Sequence, residues 1–233
     1  MKGQEKFTEG KTKILYKTDQ EEQLLMEFLD TLPFESSKKV SVKEKGKINS
    51  DLTAYLFEYL HSYNVPTHYL KKVDAKNILV KKLNMIPIQM IIWNIATGVL
   101  SKKLGISEGT SLETPVIEFY LKDAKLKNPM INDYHAYALG LCDRNDMSAI
   151  IRIGTKINAV LRSFFQRKNL SLVQFTLEFG KSGNQVMLGD EITPDTILLW
   201  MLQEDGKFDK KTFTLTAENA KQVYSRLHET LLK

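Results

Sequence analysis

Two short stretches carry side chains whose type and spacing suit the handling of a polyphosphate. The first is Gly10-Lys11-Thr12-Lys13. It reads as a turn entering a strand, where residues two apart share a face, so Lys11 and Lys13 would point together at one anion. Gly10 leaves room for close backbone approach. Alternating lysines are also common on exposed edge strands, so the pair alone does not fix a function. The second stretch is a hairpin, residues 172–179 and 185–192 around the turn signal Gly180-Lys181-Ser182-Gly183-Asn184. Glu178 and Asp190 lie on its two strands, and pairing would bring them near each other. Two adjacent carboxylates repel unless a cation or a proton intervenes. Hard oxygen ligands on two strands suit magnesium carrying triphosphate oxygens. The other reading is two exposed acids on a polar face. Leu177, Phe179, Met187 and Leu188 beside them favour the first.

Other chemistries find less support. His61, His68, His135 and His228 are dispersed without metal-ligand spacing and read as ordinary surface or partly buried residues. Cys142 has no histidine near it in sequence and reads as structural. There is no P-loop and no dinucleotide fingerprint.

The elements that must position these residues follow from periodicity. Short apolar runs at 14–18, 24–29, 69–73, 78–83 and 90–95 read as strands. Between the second and third, Asn49 or Ser50 would cap a helix with Leu52, Tyr55, Leu56, Tyr59 and Leu60 at helical spacing, stopped by Asn64-Val65-Pro66. A strand at 115–122 is followed by a helix over 147–166. Its apolar stripe is Met147, Ile150, Ile151, Ile157, Val160, Leu161 and Phe164. After the hairpin, a C-terminal helix starts near Thr216 and buries Ala220, Val223, Leu227 and Leu231. Strands early, a helix-rich middle and a late hairpin give an α+β class with a cleft between two lobes.

Composition bounds the class. The chain has 233 residues, 42% hydrophobic and 26% charged, which suits a globular fold with its own core. One cysteine precludes an intrachain disulfide and points to a reducing compartment. The N-terminus lacks an apolar signal core, and runs such as 90–93 are too short to cross a bilayer. These features imply a cytoplasmic protein with no membrane partner. The net charge of +5 comes from scattered lysine pairs, densest over 36–47. That stretch lacks interleaved aromatics and any nucleic-acid motif. It fits solvated surface or a basic loop near a phosphorylated ligand better than a nucleic-acid site.

Taken in order, these segments resemble the SAICAR synthetase (phosphoribosylaminoimidazole-succinocarboxamide synthase) family over nearly the whole chain. The early anchors are Glu9-Gly10-Lys11-Thr12-Lys13 and Val80-Lys81-Lys82-Leu83-Asn84-Met85-Ile86-Pro87. Next come Lys102-Lys103-Leu104-Gly105-Ile106-Ser107-Glu108-Gly109 and Asn128-Pro129-Met130-Ile131-Asn132. The last are Leu177-Glu178-Phe179-Gly180 and Gly189-Asp190-Glu191-Ile192-Thr193-Pro194-Asp195. The resemblance implies an ATP-grasp-like, two-lobed fold: an N-terminal β-rich nucleotide lobe over residues 1–86, and a C-terminal α+β lobe over 87–233 with metal and substrate sites. It implies that Lys11, Lys13 and Lys122 meet the phosphates of ATP, that Glu178 and Asp190 hold Mg2+, and that Lys81, Lys82 and Met85 border the adenine. Family members are often oligomers. The reaction implied is ligation of a small-molecule carboxylate to an amine through an acyl phosphate, in the family itself a carboxyaminoimidazole ribotide and aspartate in purine biosynthesis.

The chain departs from the family pattern at clustered points. The family's Ser-Ala-x-Asp-Gly loop corresponds to 33–37, its Arg-Asn to Trp93-Asn94 and its Gly-Ser to Gly98-Val99. Its Asp-Phe-Lys-Leu-Glu becomes Gln174-Phe175-Thr176-Leu177-Glu178. Its late Arg-x-Trp-Asp becomes Leu198-Leu199-Trp200-Met201. Most of the groups lost serve the ribotide and aspartate side of the family's cleft. Leucine, tryptophan and valine cannot replace an arginine fork on phosphate or carboxylate. The expectation is a ligase that keeps the nucleotide half of the site and takes a different, less anionic acceptor. An authentic SAICAR synthetase and a catalytically silent nucleotide-binding homologue are the alternatives.

Overall fold

A computed structural model describes residues 5–32 and 40–232. Residues 33–37, one of the departure segments, and the start of the basic stretch over 36–47 lie outside the described residues. The first sheet has five antiparallel strands in the order β1-β2-β3-β6-β5. These are β1 (Lys6–Glu9), β2 (Lys13–Lys17), β3 (Gln23–Phe28), β5 (Tyr69–Lys72) and β6 (Asn77–Lys81). Thr31–Leu32 pairs with Val40–Ser41, which we count together as the β4 ribbon. Helix α1 (Lys45–Ser62) crosses this sheet.

Helix α1 begins earlier than its sequence suggests. Asn49 and Ser50 are buried within it rather than capping it. Glu44, at the N-cap position, supplies no side-chain bond. The Asp30 carboxylate accepts from Gly46 N at 2.8 Å instead, a cap brought from another segment. A Cβ on Gly46 would stand 2.3 Å from Phe28 O, so only glycine lets the helix start this close to β3.

The second sheet holds seven strands. Five of them are β7 (Asn84–Ile95), β8 (Ser111–Leu121), β9 (Met130–Ile131), β10 (Leu170–Ser182) and β11 (Gln185–Leu188). The others are β12 (Ile197–Leu202) and β13 (Phe208–Asp209), and the order is β9-β8-β7-β10-β12-β13 with β11 beside β10. The apolar run placed at 90–95 is the second half of β7. Its first half is masked in sequence by Pro87, which sits where the β7–β10 register slips between Glu178 and Gly180. The strands β1, β9, β12 and β13 and the short helices α2 (Gly98–Leu104) and α3 (Asp133–Ala138) are not evident in the sequence reading.

Helix α4 (Arg144–Gln166) packs on one face of this sheet and starts at a capping box formed by Asp143 and Asp146. Its stripe is nearly as read, but Ile151 is 39% exposed, while Ile153, Gly154 and Phe165 are buried. Helix α5 (Ala220–Leu232) starts four residues after Thr216, because Thr216 and Asn219 cap each other in the preceding turn. It buries Ala220, Val223, Leu227 and Leu231 as read, and Tyr224 with them. One apolar core runs from Leu24 to Leu231 and joins both sheets to α1, α4 and α5.

Candidate active site

The hairpin turns later than its glycines suggest. Pairing continues through Lys181 and Ser182 and closes around Gly183-Asn184. Strand β11 ends at Leu188, so Asp190 does not lie on it. Gly189 N still bonds Glu178 O at 2.9 Å, and then Asp190 takes a left-handed conformation with φ 58°. Glu178 therefore points from the sheet, and Asp190 points from the loop behind it.

Their partners are lysines. Glu178 is 6% exposed, accepts from Gln89 Nε2 at 2.9 Å and is ion-paired with Lys122, which follows β8. Asp190 is ion-paired with Lys13, whose Nζ also lies 3.0 Å from Glu191 Oε1. Burial alone would lower the Lys13 pKa, but Asp190 and Glu191 outweigh it and hold the ammonium form well above the usual lysine range. Burial pushes Asp190 the other way. Lys13, then Lys122 and His68, override that and keep it below the usual carboxylate range. Thus Glu178, Lys122, Asp190 and Lys13 form one alternating set of charges. It joins the first sheet, through β2, to the second.

Three residues packed around this set, Glu191, His68 and Lys45, carry no local signal in the sequence. Glu191 is 4% exposed, raised in pKa by burial and by Asp190 and Asp195, and one of its oxygens, Oε2, has no hydrogen-bond partner. Its position directly after Asp190 and its type were the only available hints. His68, read as an ordinary surface or partly buried residue, is buried at 4% exposure and bonded into the site. Burial lowers its pKa to about 4, so the neutral ring donates Nε2–H to Asp190 O at 2.9 Å. Below them Lys45, fully buried, lies 2.7 Å from Asp195 Oδ2. Asp195 also accepts from Asn49 Nδ2 at 3.1 Å and from the Tyr224 hydroxyl.

The other residues read as site candidates scatter around this centre. Lys11 is exposed and sits in the β1–β2 turn, not on the strand, so it does not share a strand face with Lys13. Gly10 has only ordinary contact to offer a Cβ, 3.5 Å from Lys13 O, so the fold does not itself demand glycine there. Lys81 ends β6, and Lys82 Nζ lies 5.6 Å from the Phe7 ring centroid. Met85 is 42% exposed and packs over Gly180 and Gly189, where a Cβ would come within 3.0 and 3.1 Å of it.

Four of the departure positions, Trp93, Gln174, Thr176 and Leu198, converge. Gln174 lies opposite Trp93 on β7 and Leu198 on β12, and Trp93 lies opposite Val116 on β8. One step along the same face stand Ile91, Thr176 and Glu118, and one further Gln89, Glu178 and Tyr120. All but Glu178 are half-exposed, on the face opposite α4. Trp93 Nε1 donates to Glu118 Oε2 at 3.0 Å, and Glu118 is also met by Tyr120 OH at 3.0 Å and Lys103 Nζ at 3.3 Å. Val99 is apart from this row, 69% exposed on α2, and Met201 packs towards the main core.

Against known proteins, the chain matches the family model described as SAICAR synthetase over residues 6–231. This chain belongs to the SAICAR synthetase family. It is 38% identical to the phosphoribosylaminoimidazole-succinocarboxamide synthase of Clostridium kluyveri, covering 97% of each chain, and 39% identical to that of Thermoanaerobacter pseudethanolicus, covering 99% of each. The crystal structure of the same-named enzyme from Ehrlichia chaffeensis superposes with a TM-score of 0.89 at 33% identity, covering 98% of both chains. A SAICAR synthetase solved in complex with ADP gives 0.88 at 34% identity, covering 97% of both. As a member of this family the protein is an ATP-dependent C–N bond-forming ligase with the family's α+β fold.

Proposed function

We propose that the protein is an ATP- and magnesium-dependent carboxylate–amine ligase acting through an acyl phosphate on an acceptor other than the family's usual ribotide. The observation that carries this is the division of one site into two halves. The charged half, Lys13, Lys122, Glu178 and Asp190, is assembled across the two sheets. The adjoining sheet face carries Trp93, Gln174, Thr176 and Leu198 in register where the family has charged side chains.

Among the described residues no three His, Cys, Asp or Glu side chains form a group able to hold a metal alone. A buried carboxylate, Glu178, and a half-buried one, Asp190, with lysines at hand fit magnesium that brings phosphate oxygens with it. When bound, magnesium would neutralise the β- and γ-phosphate charge. Glu178 and Asp190 would hold it, and Lys11, Lys13 and Lys122 would meet the phosphates. Lys81, Lys82 and Met85 would border the adenine, between a nucleotide lobe of residues 1–86 and a substrate lobe of 87–233. The acceptor carboxylate attacks the γ-phosphorus, giving an acyl phosphate and ADP. The amine then attacks the acyl carbon, phosphate leaves, and one proton is released. Lysines aimed at the transferring group stabilise its charge, and a closed cleft keeps water from the acyl phosphate. The partners are then small molecules in the cytoplasm rather than nucleic acid or membrane. No helix among the described residues is long and apolar enough to cross a bilayer.

Calorimetry with Mg-ADP tests the charged half. Micromolar binding that is lost in Asp190→Asn supports it, and no heat at millimolar nucleotide overturns it. The names of the relatives favour a second reading, an authentic SAICAR synthetase in purine biosynthesis. Turnover of carboxyaminoimidazole ribotide with aspartate at ordinary enzyme rates would establish that reading and remove ours.

A further inference from the structure

We infer that the acceptor is an aromatic carboxylate whose ring body carries no second charge, with its ring seated against Trp93 and Leu198 and its carboxylate directed towards Lys122; this rests on the ligase reading above. The row Val116-Trp93-Gln174-Leu198 contains no charged side chain and runs across four neighbouring strands. Directly opposed residues stand about 5 Å apart, so the row is a continuous surface and not isolated apolar spots.

Several polar groups on this face are already engaged. Glu118 takes the Trp93 indole N–H, the Tyr120 hydroxyl and the Lys103 ammonium. Gln174 Nε2 lies 3.4 Å from Thr176 Oγ1. Trp93 is thereby pinned by its nitrogen, leaving the ring as a fixed platform for offset stacking. Leu198 is backed by Ile95, Val173 and Trp200, a small apolar cluster separate from the main core. A phosphate or second carboxylate laid on this row would lose water and meet no cation among the described side chains of the row. A flat, neutral body would lose far less.

The reach also fits. Glu178 is four residues beyond Gln174 on β10, about 13 Å along the strand. The phosphoryl group and its metal take up part of that distance. One or two fused rings bearing a carboxylate fill the rest.

Hydroxylamine, as a small amine, reports the activation step for any acceptor. ATP and R–COO− give the acyl phosphate and ADP, and hydroxylamine then gives the hydroxamate and phosphate. With Mg-ATP and hydroxylamine, 2-naphthoate should yield hydroxamate at least tenfold more efficiently than 4-phosphonobenzoate. Leu198→Arg should raise the KM for naphthoate about tenfold with kcat little changed and Mg-ADP affinity intact. Should that variant fold poorly beside Trp200, Trp93→Leu should show the same split. The inference is overturned if the phosphonate or the ribotide is preferred, or if no aromatic carboxylate lacking a second charge gives hydroxamate while Mg-ADP still binds. A protein that does not bind Mg-ADP overturns the ligase reading as well.

Discussion

Glu178 shows how one side chain carries two roles. Its Oε1 takes the Gln89 amide and its other oxygen pairs with Lys122, so the carboxylate is oriented before any ligand arrives. Glu178→Gln keeps an acceptor for Gln89 and removes the charge. Magnesium-dependent turnover should fall by about 100-fold or more, measured as hydroxamate or ADP release, while the melting temperature stays within about 3 °C of the parent. Cys142 offers a contrast. Burial, then Asp146 and Asp143, push its thiol up to about 11 from an ordinary 9. The folded state thus favours the protonated thiol. Its contribution to stability is present below pH 9 and is lost as pH rises through about 11. At pH 8 the thiolate is about 100-fold scarcer than for an unperturbed thiol. Iodoacetamide should label the folded protein about that much more slowly than the urea-unfolded chain. Equal rates would show the thiol to be open.

At the scale of elements, caps and close approaches decide where helices begin. The α4 start is local: Asp143 accepts from Asp146 N at 2.7 Å three residues on, a pattern present in the chain itself. The α1 start is not local, because Asp30 supplies the cap and Phe28 O crowds Gly46. Gly46→Ala should therefore destabilise by about 1–3 kcal/mol, seen as a melting temperature lower by about 2–4 °C per kcal/mol. Ordinary helix propensity would favour alanine there, so a stabilised variant would refute the close approach. The site depends on this element, since Lys45 on the first turn of α1 reaches Asp195 in the loop that carries Asp190.

For the whole molecule, Lys45 and Asp195 tie α1 to the 190–195 loop, and Tyr224 of α5 joins them through its hydroxyl. Losing one partner strands a buried charge. Asp195→Ala should cost about 3–5 kcal/mol in urea unfolding, and Lys45→Met with Asp195→Leu should cost less than Asp195→Ala alone. Read from the chain alone, periodicity placed most strands of the first sheet, both long helices and the late hairpin. Those patterns depend on neighbours three, four or two residues away. The family resemblance was also legible, because its motifs are contiguous, and Lys13, Glu178 and Asp190 could be singled out by type, whereas Lys11 stands apart from them in the β1–β2 turn. Contacts across long separations were not. Lys13 and Glu191 are 178 residues apart, and no local pattern says which carboxylate a given lysine will meet. The same holds for His68 on Asp190 and for Trp93, Gln174 and Leu198 forming one row. Strand order and register decide those pairings, and both are set by burying a single core that spans the chain.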